Sequence, residues 1–202
     1  MTEPITALDL PSTDIPEVIK KKRVNSKKKG SGFEGQISKI LGVALLPMQF
    51  RRSQSSGAIL GGKNSKFMEQ FSSDAKALFI GDVVPTNESD VFRDEGWKFK
   101  FTLECKFYRN CDTLDHLFGN TKIALWFEQA YTDSLKLGKE PLLIFKFNHT
   151  ETFCATNHET LDRLPIGLTR SMKLTLPSGR IIDIFLMKEA LLDLEWWKTT
   201  QK

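Results

Sequence analysis

Phe99-Lys100-Phe101-Thr102-Leu103-Glu104-Cys105-Lys106-Phe107 is the stretch whose reading decides the fold. Its apolar residues Phe99, Phe101, Leu103, Cys105 and Phe107 alternate with Lys100, Thr102, Glu104 and Lys106, the period of two of a strand with one face in the core. Glu104 and Lys106 therefore share a face. Upstream, Phe79-Ile80-Gly81-Asp82-Val83-Val84 is a second apolar run with one carboxylate inside it. If it is the neighbouring strand of a hairpin, with residues 87–95 as the polar loop, Asp82 reaches the face of Glu104 and Lys106. A carboxylate within an apolar strand is costly without a purpose, which favours Asp82 over Asp90 and Asp94 of the acidic loop; those two remain alternatives. Two carboxylates and an ammonium then converge at one spot on a sheet.

Carboxylate oxygens suit hard cations, and Mg²⁺ takes only one or two protein carboxylates, leaving its other positions to water and phosphate. Such a metal polarises a phosphoryl oxygen and activates water, while a nearby lysine orients the nucleophile or offsets developing charge. This is chemistry for cutting phosphodiesters. The spacing of Asp82 and then Glu104-Cys105-Lys106 resembles the PD-(D/E)XK nuclease superfamily, and the context is most similar to archaeal-type Holliday junction resolvases and related phage or recombination endonucleases. Three further features carry that resemblance: Glu34 on an early helix, the Gly/Ser-rich basic segment from Arg51 to Gly62 before the aspartate, and Trp126, Gln129 and Ala130 in a W-x-x-Q-A pattern on the helix after the lysine strand.

The resemblance implies an α/β fold with a mixed central sheet flanked by helices, a restriction-endonuclease-like core. It implies a Mg²⁺-dependent endodeoxyribonuclease, with Mn²⁺ as an alternative metal, and no organic cofactor. Asp82 and Glu104 would hold metal, Glu34 would complete or orient the site, Lys106 would position the attacking water and Gln129 would support it. Its substrate would be DNA, with branched duplex as the first choice, and a homodimer would supply the paired sites that two opposed nicks require. The gap between Asp82 and Glu104 is longer than that family pattern leads one to expect.

Toward the N-terminus, residues 1–29 read as a disordered tail, broken by Pro4, Pro11 and Pro16 and ending in a basic run. Lys20, Lys21, Lys22, Arg23, Lys27, Lys28 and Lys29 form a block of one sign that attracts polyphosphate. A solubilising tail and a DNA-gripping arm fit that block alike, and a nuclear-import signal fits it only in a host with a nucleus. A single nuclease-like domain is expected over residues 30–202. Its first helix should open at Ser31-Gly32-Phe33-Glu34, with Ile37, Ile40, Leu41 and Ala44 at helical spacing. Ser31 and Glu34 also form an S-x-x-E capping box, so Glu34 has a structural and a metal-binding role open to it.

Arg51, Arg52, Ser55 and Ser56 lie in a segment whose composition suits contact with phosphate and equally suits an ordinary loop. A short helix over residues 65–77 should bury Phe67, Met68 and Phe71. Residues 108–119 read as irregular. A helix follows over residues 121–137, with Ile123, Phe127, Ala130 and Ser134 on one stripe, Trp126 beside it and Gln129 near its edge. Residues 141–147 read as a central strand, residues 159–164 as a short helix, and Pro177-Ser178-Gly179 as a hairpin turn between strands. A closing helix is expected over residues 188–197. His116, His149 and His158 lie in loop-like surroundings and carry no catalytic pattern.

The chain's 202 residues and 40% apolar content suffice for one compact domain with appendages. No run is long enough for a bilayer, and the polar start is unlike a secretory signal. We therefore expect no membrane partner and a cytoplasmic protein, or a nuclear one in a eukaryotic host. Cys105, Cys111 and Cys154 are odd in number and match no familiar zinc spacing. A net charge of +4 is only mildly basic, and no Gly-Lys-Ser/Thr phosphate loop supports transfer to small nucleotides. A non-catalytic DNA-binding or scaffold protein with a nuclease-like fold remains the alternative.

Overall fold

A computed structural model describes residues 26–53, 73–109, 122–161 and 171–200. Its long elements follow the polar–apolar periods of the chain. Helix α1 (Ser26–Ala44) buries Phe33, Ile37 and Leu41, one face at a spacing of four. Strand β1 (Phe50–Arg52) is short, helix α2 spans Ser73–Ala77, and strand β2 covers Val83–Pro85. Helix α3 (Glu88–Glu95) and strand β3 (Lys98–Phe99) lead into the eight-residue strand β4 (Phe101–Tyr108). Helix α4 (Lys122–Leu137) then crosses to strand β5 (Glu140–Phe147). Strand β6 (Thr152–Asn157), helix α5 (His158–Leu161), strand β7 (Ser171–Thr175) and strand β8 (Ile181–Leu186) follow. Helix α6 (Met187–Ala190), a 3₁₀ turn (Leu194–Trp197) and strand β9 (Lys198–Thr199) close the described chain.

Seven strands form one sheet in the order β1-β2-β4-β5-β6-β8-β7, and β3 pairs with β9 in a small separate ribbon. The β4–β5 pair is parallel because α4 carries the chain back across the sheet between them; the other neighbours are antiparallel. This is the expected mixed sheet flanked by helices, with β5 at its centre. One face packs Phe101, Leu103 and Cys105 of β4 with Leu142 and Ile144 of β5 against α1, Trp196 and Trp197. The other packs Leu143 and Phe145 against Ile123, Ala124, Trp126 and Phe127 of α4. Among the described residues, no helix is long and apolar enough to cross a membrane.

Several local expectations need correction. The first helix starts at Ser26 rather than Ser31, so Lys28 and Lys29 lie in the helix and Ser31 sits within it. Ser31 Oγ accordingly donates to the Lys28 carbonyl, 3.1 Å away, instead of capping. Ile40 is exposed, because Phe33, Ile37 and Leu41 define the buried stripe. Phe50–Arg52 is an edge strand, not a loop. The run expected as a strand from Phe79 is a turn up to Asp82, and only Val83–Pro85 joins the ladder. The connection expected as a polar loop contains α3, with Glu88 and Asp90 at its positive end and Gly96 as a left-handed C-cap at φ 74°.

At the C-terminus, the closing helix is replaced by α6, the 3₁₀ turn and β9. Trp196 and Trp197 are both buried, which the narrow buried stripe of a surface helix does not readily allow. Tyr108 extends β4 by one residue, and α5 begins at His158 rather than residue 159. Residues 1–25, the remainder of the Gly/Ser segment including Ser55 and Ser56, Phe67, Met68 and Phe71 lie outside the described residues. The helix over Lys122–Leu137 buries Ile123, Trp126, Phe127, Ala130 and Ser134 as its period indicates. Likewise β7 and β8 form the expected hairpin, with Gly179 at φ 83° in the turn.

Candidate active site

The site is built where β2 meets β4. Alternation along β4 sends Phe101, Leu103 and Cys105 to the α1 face, and hence Thr102, Glu104, Lys106 and Tyr108 to the α4 face. Val83 pairs with Leu103 and faces the α1 core with it, so the preceding Asp82 belongs to the Glu104 face. The approach is close at Gly81: φ is 94°, and a Cβ there would stand 2.9 Å from the Leu103 carbonyl oxygen. Only glycine adopts that conformation and fits that gap without strain.

Asp82 is the knot of this corner. Its backbone N–H donates to the Leu103 carbonyl at 2.8 Å, and its own carbonyl accepts from the Ser53 N–H at 2.9 Å. Its side-chain Oδ2 accepts from the Cys105 N–H at 2.8 Å, so the carboxylate is fixed against β4 directly beside Glu104. Both are buried, Asp82 to 8% and Glu104 to 2% exposure. Lys106 is half-buried and its ammonium donates to Glu104 Oε1.

Electrostatics follow from this geometry. Burial, then the charge of Asp82, pushes the Glu104 carboxyl from 4.5 up to about 8 against the pull of Lys106. Burial opposes the charge on Lys106, but Glu104 and Asp82 outweigh it and hold the ammonium above the usual lysine range. Glu34, on α1, lies within reach of the same charges. Burial and Asp82 raise its carboxyl above the ordinary value, opposed by Arg52 and Lys106, and its Oε2 is 3.2 Å from Arg52 Nε. Two buried carboxylates thus lie near one ammonium, which is bonded to Glu104 and feels the charge of Asp82.

Of the other candidates, Arg51 and Arg52 are exposed on edge strand β1, and Arg52 is the partner of Glu34. Gln129 is exposed on α4 rather than packed into the carboxylate cluster. It lies between Trp126, whose ring is 4.7 Å from that of Tyr108, and Asp133, whose charge also raises Glu104. Lys28 is exposed, whereas Lys29 donates to Asn148 Oδ1 at 2.6 Å and stands over the Phe107 ring. Lys20, Lys21, Lys22 and Arg23 are outside the described residues, and Lys27 is described only in its backbone.

The sequence reading missed Asp133. Its side chain is 14% exposed and it pairs with Lys136. The available signal was its position four residues after Gln129, on the same side of the helix. His158, expected in a loop, opens α5, and its Nδ1 is 2.5 Å from the buried Asp183 Oδ2. Ser53 Oγ and Thr102 Oγ1 are buried without a hydrogen-bond partner among the described residues.

The residues present suit a hard divalent cation. Asp82 and Glu104 offer oxygen donors whose mutual repulsion a cation relieves, and two carboxylates match the number Mg²⁺ commonly takes from protein. Among the described residues no group of three or more His, Cys, Asp and Glu could hold a metal unaided, so water or phosphate oxygens would have to fill the rest of the shell.

No curated protein and no solved structure matches this chain. A family model does match, over residues 25–174, and its span takes in Glu34, Asp82, Glu104, Lys106 and Gln129. The chain belongs to the family described as phage putative PDDEXK endonuclease.

Proposed function

We propose that this protein is a divalent-metal-dependent endodeoxyribonuclease whose reacting centre is Asp82, Glu104 and Lys106. The observation that carries the proposal is the second buried carboxylate, Asp82, beside the Glu104–Lys106 ion pair, with Glu104 pushed up to about 8 by burial and by Asp82. A structural ion pair needs no second buried carboxylate, and leaving one there is expensive. A cation bound to Asp82 and Glu104 would neutralise that charge and polarise the phosphoryl oxygen under attack.

The chain's own residues do the rest. The Cys105 N–H fixes the Asp82 carboxylate, so a phosphate meets a preorganised corner. Lys106, held charged by Glu104 and Asp82, orients the attacking water for in-line displacement and offsets charge growing on the phosphate. Glu34 orients the edge of the site and keeps Arg52 close to the entering backbone. Gln129 is exposed on α4; its assigned part, supporting the water, comes from the sequence resemblance. Attack on phosphorus leaves a 5′-phosphate.

DNA is the substrate this reading assigns, with branched duplex preferred and a homodimer delivering paired cuts; the sequence resemblance supports both. The test is cleavage of an end-labelled four-way junction beside linear duplex and single-stranded DNA, in Mg²⁺, Mn²⁺ or EDTA. Paired cuts at the junction that vanish in EDTA are expected. Equal cutting of all three substrates would remove the branched preference, and absence of metal-dependent cutting on any of them would remove the nuclease.

A further inference from the structure

We propose that Tyr108, backed by Trp126 and flanked by Lys122, is a stacking platform for an unpaired base beside the scissile phosphate. The preferred DNA is then one that presents an unstacked nucleotide at the cut. This rests on the nuclease reading and adds to it what the site holds next to the reacting phosphate.

Tyr108 ends β4 on the same face as Lys106, two residues further along, or about 7 Å at the rise of a strand. Among the described residues it is the only aromatic among the exposed large hydrophobic side chains, at 41%. The other aromatics of the strand, Phe101 and Phe107, face α1, where Phe101 is buried and Phe107 packs against the core. Tyr108 is also held still. Its ring centroid lies 4.7 Å from that of Trp126 at an interplanar angle of 40°. Trp126 is itself buried, with its ring 6.5 Å from those of Phe145 and Phe147. An exposed ring on a rigid aromatic base gives up little conformational freedom when something stacks on it.

Lys122 supplies the second element. It is exposed at the start of α4, and its ammonium lies over the Tyr108 ring, 5.1 Å from the centroid, so a base that stacks there moves the ammonium aside toward its own phosphate. An aromatic face for a base with an adjacent ammonium for its phosphate is how unpaired nucleic acid is held without sequence readout. A paired, stacked base has both faces covered by its neighbours and has none to offer, so uniform duplex gains nothing from Tyr108. Junction centres, gaps and flaps do present such bases.

The experiment uses the full chain in EDTA, where binding is read without cleavage. A gapped duplex carries 2-aminopurine at its unpaired nucleotide, and a fully paired duplex of the same length is the control. Protein should quench the unpaired 2-aminopurine, and Tyr108→Phe should quench it equally. Tyr108→Leu, which keeps an apolar contact on Trp126, should abolish the quench. It should also weaken binding of the gapped duplex by about fivefold to a hundredfold, the range for one base–aromatic stack, while paired-duplex binding stays as it was. Quenching retained in Tyr108→Leu, or the same loss on both duplexes, overturns the platform.

Photocrosslinking from 5-bromouracil at the unpaired position needs no variant, so it stands even if Tyr108→Leu fails to fold. The crosslink is expected on Tyr108, and crosslinks confined elsewhere overturn the proposal. Metal-dependent cutting together with either contrary result sinks the platform alone, whereas a chain that neither binds nor cuts DNA sinks the nuclease reading with it.

Discussion

At the scale of single residues, the burial that marks Glu104 as a candidate metal ligand also ties it to stability. Between pH 4.5 and about 8 the folded chain keeps on Glu104 a proton that the unfolded chain has released. Stability of the metal-free protein therefore falls as pH rises through that window and levels off above it, by on the order of a few kcal/mol. Urea unfolding at about pH 5 and about pH 9 should show the fall in the unaltered protein and little of it in Glu104→Gln. The same fall in both proteins would dissociate it from Glu104. Added Mg²⁺ should flatten the profile at high pH, because a cation takes the place of the proton. The Glu104–Lys106 side of this cluster was legible in the sequence because a strand's period of two leaves no choice of face. Asp133 was not, since which helical residue stands over Glu104 depends on how α4 crosses the sheet, and no local pattern encodes that crossing.

At the scale of elements, the hinge of the site is the turn before β2. Gly81→Ala would force a left-handed backbone and press a methyl group toward the Leu103 carbonyl, 2.9 Å from the Cβ position. We expect a loss of about 1–3 kcal/mol, the usual cost of such a conformation, visible as a lower Tm. Cleavage should fall with it, because Asp82 is the next residue. An unchanged Tm would mean that β2 and β4 can part at this point without cost. The connection between β2 and β4 shows how the sequence misled: its acidic residues read as a solvated loop, yet Glu88 accepts from the Phe99 N–H and from Lys139. Those partners are 11 and 51 residues away, so the helix they anchor is stabilised by tertiary bonds that composition does not reveal. By contrast α4 and the β7–β8 hairpin carry their determinants locally, in the apolar stripe and in Gly179.

At the scale of the whole molecule, the corner of Asp82, Glu104 and Lys106 lies toward the β1 edge of the sheet. Arg51 and Arg52 are exposed there, and α1 leads back toward the basic run of residues 20–29. If that run grips DNA, replacing Lys20, Lys21, Lys22 and Arg23 with serine should weaken binding to all sequences alike. It should also flatten the salt dependence by about 0.9 in log–log slope for each phosphate that the arm no longer neutralises. An unchanged slope would leave the run to solubility or targeting. The fold as a whole was legible because its decisive strand and crossover helix have strong periods. The edge strand, the split C-terminus and the place of Asp133 beside the cluster were set by tertiary packing. The most direct test of the central claim is single-turnover cleavage of labelled DNA in Mg²⁺ by the unaltered protein and by Lys106→Ala, with DNA affinity measured alongside. We expect cleavage to fall by roughly 100-fold or more, as when a preorganised charge-stabilising group is removed, while affinity changes little. Equal cleavage by the two proteins would contradict the assignment of Asp82, Glu104 and Lys106 as the reacting centre.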